Sequence, residues 1–408
     1  MYYFIIDCGN TFSKIYTFNA DLLFSLSNYD LVEADIEKIA QCIRIQNSDI
    51  INSAAGLQLL EGYFNNLFQP GLYPGNSIRL LAASVKPEVF EKLDAFISEF
   101  FSKMEITIIK KRLAEKGWGN KIKFGYRPLS SYGEDRIALL YYTELIEHCF
   151  PEIFGEKAVF DNGTALTIDL ISENRYKGGY ILPSMIMNSK ALHYFTAQLE
   201  DFSEDLISLY STEEFNEKTP GTDPFSGILP GYSTGESIVH GLYFQFTSLV
   251  LSFITQSLAE CRGKENNFLF IFNHGFFNYK FFKVIEQRIV ELLTKRPFNN
   301  RWEKNVSFYL VDKKMDKFLN PLIAKEFRLF HPVGKLDAIP FLKFFFEGKN
   351  KNFRNPENKF FSVKRKRTGN IGRFNFVFLT DPDIVVKGLI RALKFDDSVH
   401  KEIHRGIE

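Results

Sequence analysis

The stretch YYFIIDCGNTFSKIYTF, residues 2–18, predicts a β-hairpin at the start of the chain. Its first part is an apolar run that ends in the carboxylate of Asp7, a pattern typical of a buried strand. Turn residues follow at 8–11, and Ser13–Phe18 has the composition of a return strand. Asp7 is therefore expected at the tip of the hairpin.

The same pattern returns about 150 residues later along the chain. Ala158–Asp161 is again an apolar run that ends in a carboxylate, and Asn162–Ala165 is again a turn of small residues. Leu166–Leu170 again has the composition of a return strand. Two copies of one hairpin predict two lobes that are built on the same plan.

The residue types in both hairpins suit the binding of a triphosphate. A turn with glycine, such as Gly9 or Gly163, lets backbone N–H groups approach phosphate oxygens. Asp7 can hold Mg²⁺ directly or through water, and Lys14 adds a positive charge. The side chains that would donate hydrogen bonds to phosphate are Asn10, Thr11 and Thr164. One Asp-x-Gly turn is a common feature, so the repetition is what favours this interpretation.

A helix is predicted over Asp135–His148, with Gly133 just before it. Asp135 has two interpretations that its position leaves open. It can cap this helix, or it can act at the junction of the lobes as the carboxylate that takes a proton from a substrate hydroxyl. Arg136 beside it can bind a substrate carboxylate.

A second helix is predicted near residue 237. Ser233–Ser237 places Ser and Thr before Glu, which is a helix-capping signal. The apolar stretch Ser237–Leu258 that follows is interrupted by polar residues such as His240 and Gln245. It is therefore predicted as a buried core helix, and no membrane span is expected.

Composition restricts the class of protein. The 408 residues correspond to about two domains. With 50 basic and 49 acidic residues, no overall attraction to nucleic acid or membranes is expected. The four cysteines lie far apart, without metal-ligand or redox spacing, which favours free thiols in a reducing compartment. Asp7 interrupts the first apolar run, so no signal peptide is predicted and the expected location is cytoplasmic.

The predicted lobes cover residues 1–150 and 151–408, with a basic insertion at about 276–372. Helical pieces are predicted in its first part, and the stretch rich in Lys, Arg, Asn and Phe that follows is predicted as an insertion or long mobile loop. Lys343–Arg373 has ten basic and two acidic residues, a net charge of +8. A solvated surface is favoured there, although an anionic partner such as RNA stays open. Near the end, Asp383–Val386 is predicted as a strand and Leu389–Phe395 as a short helix.

In chain order, these segments resemble the type III pantothenate kinase family. Asp7–Thr11 looks like its first phosphate motif, Gly133–Arg136 like its Gly-x-Asp-Arg substrate motif, and Asp161–Asp169 like its second phosphate motif. The smaller matches are Gly178-Gly179 with Pro183, and Thr234 with Gly241. The resemblance runs to about Gly275 and resumes at Asp381–Leu389.

The resemblance implies an α/β, actin-like (ribonuclease H-like), duplicated two-lobed ATPase or kinase fold with a C-terminal insertion. It implies ATP-dependent phosphorylation of pantothenate to 4'-phosphopantothenate, the first step of coenzyme A biosynthesis. The implied cofactors are Mg²⁺ with ATP and a monovalent cation, potassium or ammonium. The implied assembly is a homodimer in which the partner subunit completes the substrate site.

Residue by residue, the resemblance implies that Asp135 is the general base and that Asp161 holds the monovalent cation. Asp7–Lys14 would contact the ATP phosphates, and Thr164 would contact ATP. The residues that would line the pantothenate pocket are Tyr126, Gly133, Glu134, Asp135, Arg136 and Thr234.

Two positions depart from the family pattern. Ser184 follows Pro183 where the family usually has Gly, and Asn273-His274-Gly275 stands in place of Thr-Gly-Gly. Two other functions stay open. One is a kinase or phosphatase for a different small alcohol on the same fold, and the other is a non-catalytic regulatory or nucleic-acid-binding paralogue that uses the basic segment.

Overall fold

The computed structural model describes residues 1–68, 77–113, 132–149, 156–172, 175–204, 206, 230–260, 266–273, 306–312, 330–332, 374–380 and 383–395. The chain divides into two compact units. The first comprises Met1–Glu152, Ile171–Gly178 and Asp383–Glu408, and the second comprises Ile153–Leu170 and Gly179–Pro382. Tyr126, Gly275 and Lys343–Arg373 lie outside the described residues.

A five-stranded mixed sheet forms the centre of the first unit. Its strands are β1 (Tyr2–Cys8), β2 (Phe12–Asn19), β3 (Gln41–Gln46), β4 (Ser77–Ser84) and β5 (Thr107–Arg112). Their order is β3-β2-β1-β4-β5, in which the first three strands pair antiparallel and β4 and β5 run parallel to β1. The hairpin predicted at residues 2–18 is confirmed as β1 and β2, with Asp7 opposite Lys14.

Helices bury their apolar faces against this sheet. The helices described up to residue 149 are α1 (Ala20–Ser25), α2 (Asn28–Glu33), α3 (Ile36–Ile39), α4 (Asn47–Ile51), α5 (Ala55–Leu67), α6 (Pro87–Ser102) and α7 (Glu134–Cys149). Phe4 of β1 stacks on Phe64 of α5 at 5.3 Å, and Phe64 meets Phe101 of α6 at 5.0 Å. All three are fully buried, and each burial contributes about 1.5–3 kcal/mol.

A seven-stranded sheet runs through the second part of the chain. Its strands are β6 (Glu156–Asn162), β7 (Ala165–Ser172), β8 (Arg175–Pro183), β9 (Asn266–Asn273), β10 (Val306–Asp312), β11 (Phe330–Pro332) and β12 (Phe374–Thr380). Their order is β11-β10-β12-β9-β6-β7-β8, with β9 parallel to β6 and β12 parallel to β9. The second predicted hairpin is confirmed as β6 and β7, which are neighbours joined by two residues.

The two sheets repeat one strand order. The second sheet contains β8-β7-β6-β9-β12, which corresponds strand for strand to β3-β2-β1-β4-β5. In both sheets, the chain first forms a hairpin and then a third strand beside it. The strands that follow pair in parallel on the other side of the first strand. This duplicated α/β arrangement is the actin-like (ribonuclease H-like) fold that the sequence predicted.

Strands β10 and β11 come from the segment predicted as an insertion at 276–372. They extend the second sheet beyond β12, and both run parallel to their neighbours. Helical pieces were predicted before the basic stretch, whereas Val306–Asp312 and Phe330–Pro332 form strands. The first of these reads VSFYLVD, and its β-branched and aromatic residues favour a strand.

Helix α8 (Met185–Phe195) and the long helix α9 (Thr234–Glu260) belong to the second unit and pack on each other. Val239, Tyr243, Phe246 and Val250 form a buried stripe at helical spacing on α9. The core helix predicted over this region is confirmed. Of the helices in the described ranges, none combines the length and the apolar character needed to cross a membrane.

The last described element is helix α10 (Ile384–Phe395), which packs mainly on α7 in the first unit. The prediction of a strand at Asp383–Val386 is wrong. Ile384–Val386 is β-branched, but all three side chains are buried in the helical packing, and Asp383 Oδ2 accepts a hydrogen bond of 3.1 Å from Ile36 N. The predicted division placed all of residues 151–408 in one lobe, whereas this packing assigns α10 to the unit of β1 and α7.

Candidate functional site

The first hairpin presents a carboxylate and an ammonium group at the same end. Asp7 and Lys14 are direct partners in the register of β1 and β2. Gly9 N closes the turn by donating to Phe12 O at 3.1 Å. Burial raises the pKa of the Asp7 carboxyl, and the Lys14 charge acts in the opposite direction. A carboxylate that burial penalises in this way favours a further cation beside it.

The end of β4 connects this hairpin to the start of α7. Val85 N donates to Cys8 O at 3.1 Å, at the end of β1. Ser84 N donates to Glu134 Oε2 at 2.7 Å, in the first turn of α7. The backbone N–H groups of Ser84 and Val85 thus hold the first hairpin and the predicted substrate motif at one edge of the first sheet. That edge is where parallel strands end, the usual place for ligands in α/β folds.

Gly133 makes room for the carboxylate of Asp135. A Cβ atom at position 133 would lie 2.5 Å from Asp135 Oδ1, which is closer than such atoms approach. The same oxygen accepts a hydrogen bond of 2.7 Å from Arg136 N. Asp135 is half-buried in the first turn of α7. This hydrogen bond fits the capping interpretation, and the partial exposure leaves the carboxylate accessible for the general-base interpretation.

The side chain of Arg136 is buried rather than presented to solvent. It is 5% exposed, and its guanidinium donates to Tyr176 Oη at 3.0 Å. Its Cζ lies 4.4 Å from the ring centroid of Tyr132, a cation–π distance, and the two tyrosine rings meet edge to face at 5.3 Å. Both tyrosines are buried in the first unit. The structure therefore shows Arg136 held by two aromatic residues.

In the second unit, Asp161 lies at the end of β6, opposite Asn273 of β9 in the strand register. Asp161 Oδ1 accepts a hydrogen bond of 3.0 Å from Asn273 Nδ2. The carbonyl of Thr164 accepts one of 2.6 Å from Ser184 Oγ, which also accepts from Met187 N at 3.2 Å and caps α8. Ser184 and Asn273 are the two departures from the family pattern, and both contact the second hairpin.

Thr234 is exposed at the start of α9. The predicted capping signal is confirmed here, because Ser233 Oγ accepts from Glu236 N at 3.2 Å. Glu236 Oε2 in turn accepts from Tyr232 N at 2.8 Å. These contacts fix the entry into α9 in the second unit.

Comparison with known proteins identifies the family. The model of the type III pantothenate kinase family matches residues 3–256 of the chain. The chain belongs to the type III pantothenate kinase family.

Its relatives align over part of their length. The chain is 26% identical to the type III pantothenate kinase of Chlorobaculum tepidum over 216 residues, which cover 51% of this chain and 67% of that protein. It is 33% identical to that of Fusobacterium nucleatum subsp. nucleatum over 144 residues, which cover 34% of this chain and 50% of the relative. A solved propionate kinase from Francisella tularensis subsp. tularensis covers 71% of this chain and 88% of its own, at 10% identity and a TM-score of 0.37.

The first unit brings together most of the family's predicted site residues: Asp7, Gly9, Asn10, Thr11, Lys14, Gly133, Glu134, Asp135 and Arg136. Asp161, Gly163, Thr164 and Thr234 belong to the second unit. Sequence reasoning missed the supporting residues Ser84, Tyr132 and Tyr176, and also Asn47, whose Nδ2 donates to Gly9 O at 2.8 Å. Each is distant along the chain from the residue it contacts or lacks a motif of its own, so no local signal marked it.

Two places fit the cations that the family implies. Within the described ranges, no three His, Cys, Asp or Glu side chains converge on a metal site. Mg²⁺ needs only one or two carboxylates beside phosphates and waters, which Asp7 at the hairpin tip can supply. In the second unit, Asn273 is 1% exposed, and its Oδ1 has no hydrogen-bond partner among the described residues. That oxygen and the Asp161 carboxylate suit a monovalent cation, because hard cations take oxygen ligands.

Proposed function

We propose that this protein transfers the γ-phosphoryl group of ATP to pantothenate and forms 4'-phosphopantothenate, the first step of coenzyme A biosynthesis. Membership of the family supports the choice of substrate. The observation that carries the proposal is the paired hydrogen bonding at the end of β4. The amides of Val85 and Ser84 hold the hairpin that carries Asp7 and the first turn of α7, which carries Asp135, at one edge of the sheet.

In the proposed reaction, Asp135 orients the primary hydroxyl of pantothenate and accepts its proton. The hydroxyl oxygen then forms a bond to the γ-phosphorus, the bond between that phosphorus and the leaving oxygen of ADP breaks, and ADP departs. The hairpin from Asp7 to Lys14 holds the phosphates through backbone N–H groups and the Lys14 charge. Most of the catalysis comes from positioning and charge stabilisation, as in other phosphoryl transfers.

Cations would be held by the carboxylates of both hairpins. Mg²⁺, when bound, would neutralise the triphosphate, and Asp7 would hold it directly or through water. Asp161 would hold potassium or ammonium, with Asn273 Oδ1 as a second oxygen ligand. Gly163 and Thr164 would contact ATP from the turn of the second hairpin.

The pantothenate pocket would involve Tyr126, Gly133, Glu134, Asp135, Arg136 and Thr234. Glu134 and Arg136 are buried and already hydrogen-bonded, so they would shape the pocket from behind. Their contacts with Ser84 and Tyr176 hold the first turn of α7 in place. We further propose a cytoplasmic homodimer, as the family resemblance implies.

The test is an assay for phosphopantothenate by mass spectrometry, with ATP, Mg²⁺ and potassium. Asp135→Asn should lower kcat about 10²–10⁴-fold, because the amide keeps the capping ability but is a far weaker base. Glu88→Gln is the matched control, since Glu88 is an exposed acid in the first turn of α6. If both variants turn over at the wild-type rate, Asp135 is only a cap.

Two further arms sharpen this test. Gly133→Ala should lower kcat about 10- to 100-fold with little loss of stability, because it displaces the Asp135 carboxylate, and misplaced groups cost rate. Gly62→Ala, a helical glycine with open space around it, is its control. The same assay in sodium alone should run more slowly than in potassium or ammonium, and equal rates would remove the cation role of Asp161.

A further inference from the structure

Asn47 is a buried residue that makes three hydrogen bonds to the first phosphate hairpin. It follows β3 as the first residue of α4 and is 2% exposed. Its backbone N donates to Thr11 O at 2.8 Å. Its side-chain Nδ2 donates to Gly9 O at 2.8 Å, and its Oδ1 accepts from Ser13 Oγ at 2.8 Å. Asn47 therefore contacts the turn on both sides of Asn10 and also the strand that leaves it.

These contacts fix the direction of two peptide groups. In a trans peptide, the N–H of one residue points opposite to the C=O of the residue before it. Because Asn47 holds the carbonyls of Gly9 and Thr11, the N–H groups of Asn10 and Phe12 point away from it. Neighbouring backbone N–H groups that point to one side make a site for an anion.

The contact from Ser13 fixes the Asn47 side chain itself. Ser13 is fully buried, and its hydroxyl donates to Asn47 Oδ1, so the opposite amide group is directed at Gly9 O. The hydroxyl also lies 3.2 Å from Cys8 Sγ, next to Asp7. A chain of buried polar groups thus runs from the end of β1 to the turn.

We propose that Asn47 is a positioning residue for the ATP phosphates, a role that rests on the proposed function. It touches neither ATP nor pantothenate, and acts by holding the turn of Gly9 to Thr11 with its amides directed at the phosphates. A residue with a general structural role would affect both substrates. Asn47 should affect ATP alone, because its three hydrogen bonds go to the phosphate hairpin.

The experiment compares Asn47→Ala with Asn52→Ala, which removes an exposed asparagine at the other end of α4. Calorimetric titration with ATP–Mg²⁺ should show affinity about 10- to 100-fold weaker for Asn47→Ala, as for other supporting residues around a ligand site. KM for ATP should rise by a similar factor, and KM for pantothenate should stay unchanged. Asn52→Ala should match the wild type in all three measurements.

Ser13→Ala provides a second variant in case Asn47→Ala does not fold. It keeps Asn47 but frees its side chain to turn, so it should weaken ATP binding to a smaller extent. In a double variant, Ser13→Ala should add little to the effect of Asn47→Ala, because both act through one hydrogen-bond chain. Additive effects would show that Ser13 acts on the hairpin by another route.

The remaining outcomes separate this proposal from the proposed function. Unchanged ATP affinity in Asn47→Ala and Ser13→Ala overturns the positioning role, and so does an equal rise in both KM values with a lower melting temperature. A wild type that binds ATP–Mg²⁺ but does not phosphorylate pantothenate removes the proposed substrate, while the calorimetric comparison still decides the role of Asn47. A wild type that does not bind ATP–Mg²⁺ overturns both.

Discussion

Asp7 is a residue at which stability and function conflict. Its pKa is raised because burial penalises the charged form more than Lys14 favours it. With a folded-state pKa above the unfolded value of about 4, the neutral form favours the folded state. That contribution is present at low pH and is lost as the pH rises through the folded-state pKa. Above that pKa, the ligand-free protein carries an unfavourable carboxylate.

Asp7→Asn should remove this cost and also remove the proposed Mg²⁺ ligand. We expect a higher melting temperature for the ligand-free variant at pH 7, with a gain that shrinks toward pH 4. ATP–Mg²⁺ at 100 times its dissociation constant should stabilise the wild type by about 2.7 kcal/mol and the variant far less. Thermal unfolding with and without ATP–Mg²⁺ measures both effects. Asp21→Asn, at an exposed acid, is the control, and a lower melting temperature for Asp7→Asn would contradict the argument.

Residues with a proposed role at a ligand were easier to single out from the sequence than residues that support them. Asp7 and Asp135 stand in short patterns of their own, so the sequence indicated them. Asn47 contacts Gly9 from 38 positions away, and Glu134 contacts Ser84 from 50 positions away. Such pairs depend on which strands become neighbours, which no local pattern contains.

At the scale of elements, α10 supports α7 from the far end of the sequence. A Cβ atom on Gly388 would lie 1.9 Å from the backbone oxygen of Ala138, so the two helices are in direct backbone contact. Arg391 also forms hydrogen bonds of 2.7 and 3.0 Å to the carboxylate of Glu144. The helix that carries Asp135 in its first turn is therefore held by close packing and by an ion pair.

Gly388→Ala should force α10 and α7 apart. Overpacking of this kind costs typically about 1–3 kcal/mol, and the backbone contact places this site at the upper end. A shift of α7 would move Asp135, so kcat should also fall for those molecules that remain folded. Urea unfolding and the phosphopantothenate assay measure the two effects. Gly241→Ala on α9, where a Cβ meets nothing within 4 Å, should lower neither stability nor kcat.

The elements differ in how far the sequence determined them. Both hairpins were predicted because each is specified by its own apolar runs and turn residues. The start of α10 was predicted as a strand because Ile384, Val385 and Val386 have high β-propensity. Burial against α7 outweighs that propensity, since all three side chains are enclosed there.

At the scale of the whole molecule, the sequence predicted the duplicated plan. It did not predict that the insertion adds strands to the second sheet. The two copies of one hairpin indicated two sheets of one order. The extra residues were recognised because the family resemblance lapses there. Nothing in that lapse indicated that Val306–Asp312 and Phe330–Pro332 form strands of the second sheet. A strand that joins a sheet needs a neighbour that can be distant in sequence, as β12 is for β10, and composition alone does not identify it.

The second unit has most of the exposed large apolar side chains. Among the described residues, seven of eleven such side chains lie on β8, α8, α9 and the turn before α9. The most exposed are Tyr232 at 96%, Tyr194 at 81% and Phe195 at 80%. Large apolar surfaces on soluble proteins commonly mark interfaces. These exposed side chains, with Tyr194 and Phe195 of α8 in direct ring contact at 5.0 Å, are therefore our candidate surface for the contact between two copies of the chain.

Phe195→Glu should weaken the proposed homodimer, because a charge would be buried against the partner. An aromatic residue at the centre of an interface commonly contributes at least about 2 kcal/mol, which corresponds to an increase of about 30-fold in the dissociation constant. Light scattering should give twice the chain mass of 47.3 kDa for the wild type and a lower mass for the variant at micromolar concentration. Leu59→Glu, at a residue 59% exposed on α5 of the first unit, should stay dimeric. A monomeric wild type contradicts the dimer itself, whereas a dimeric Phe195→Glu variant leaves the dimer in place and excludes this surface as its contact.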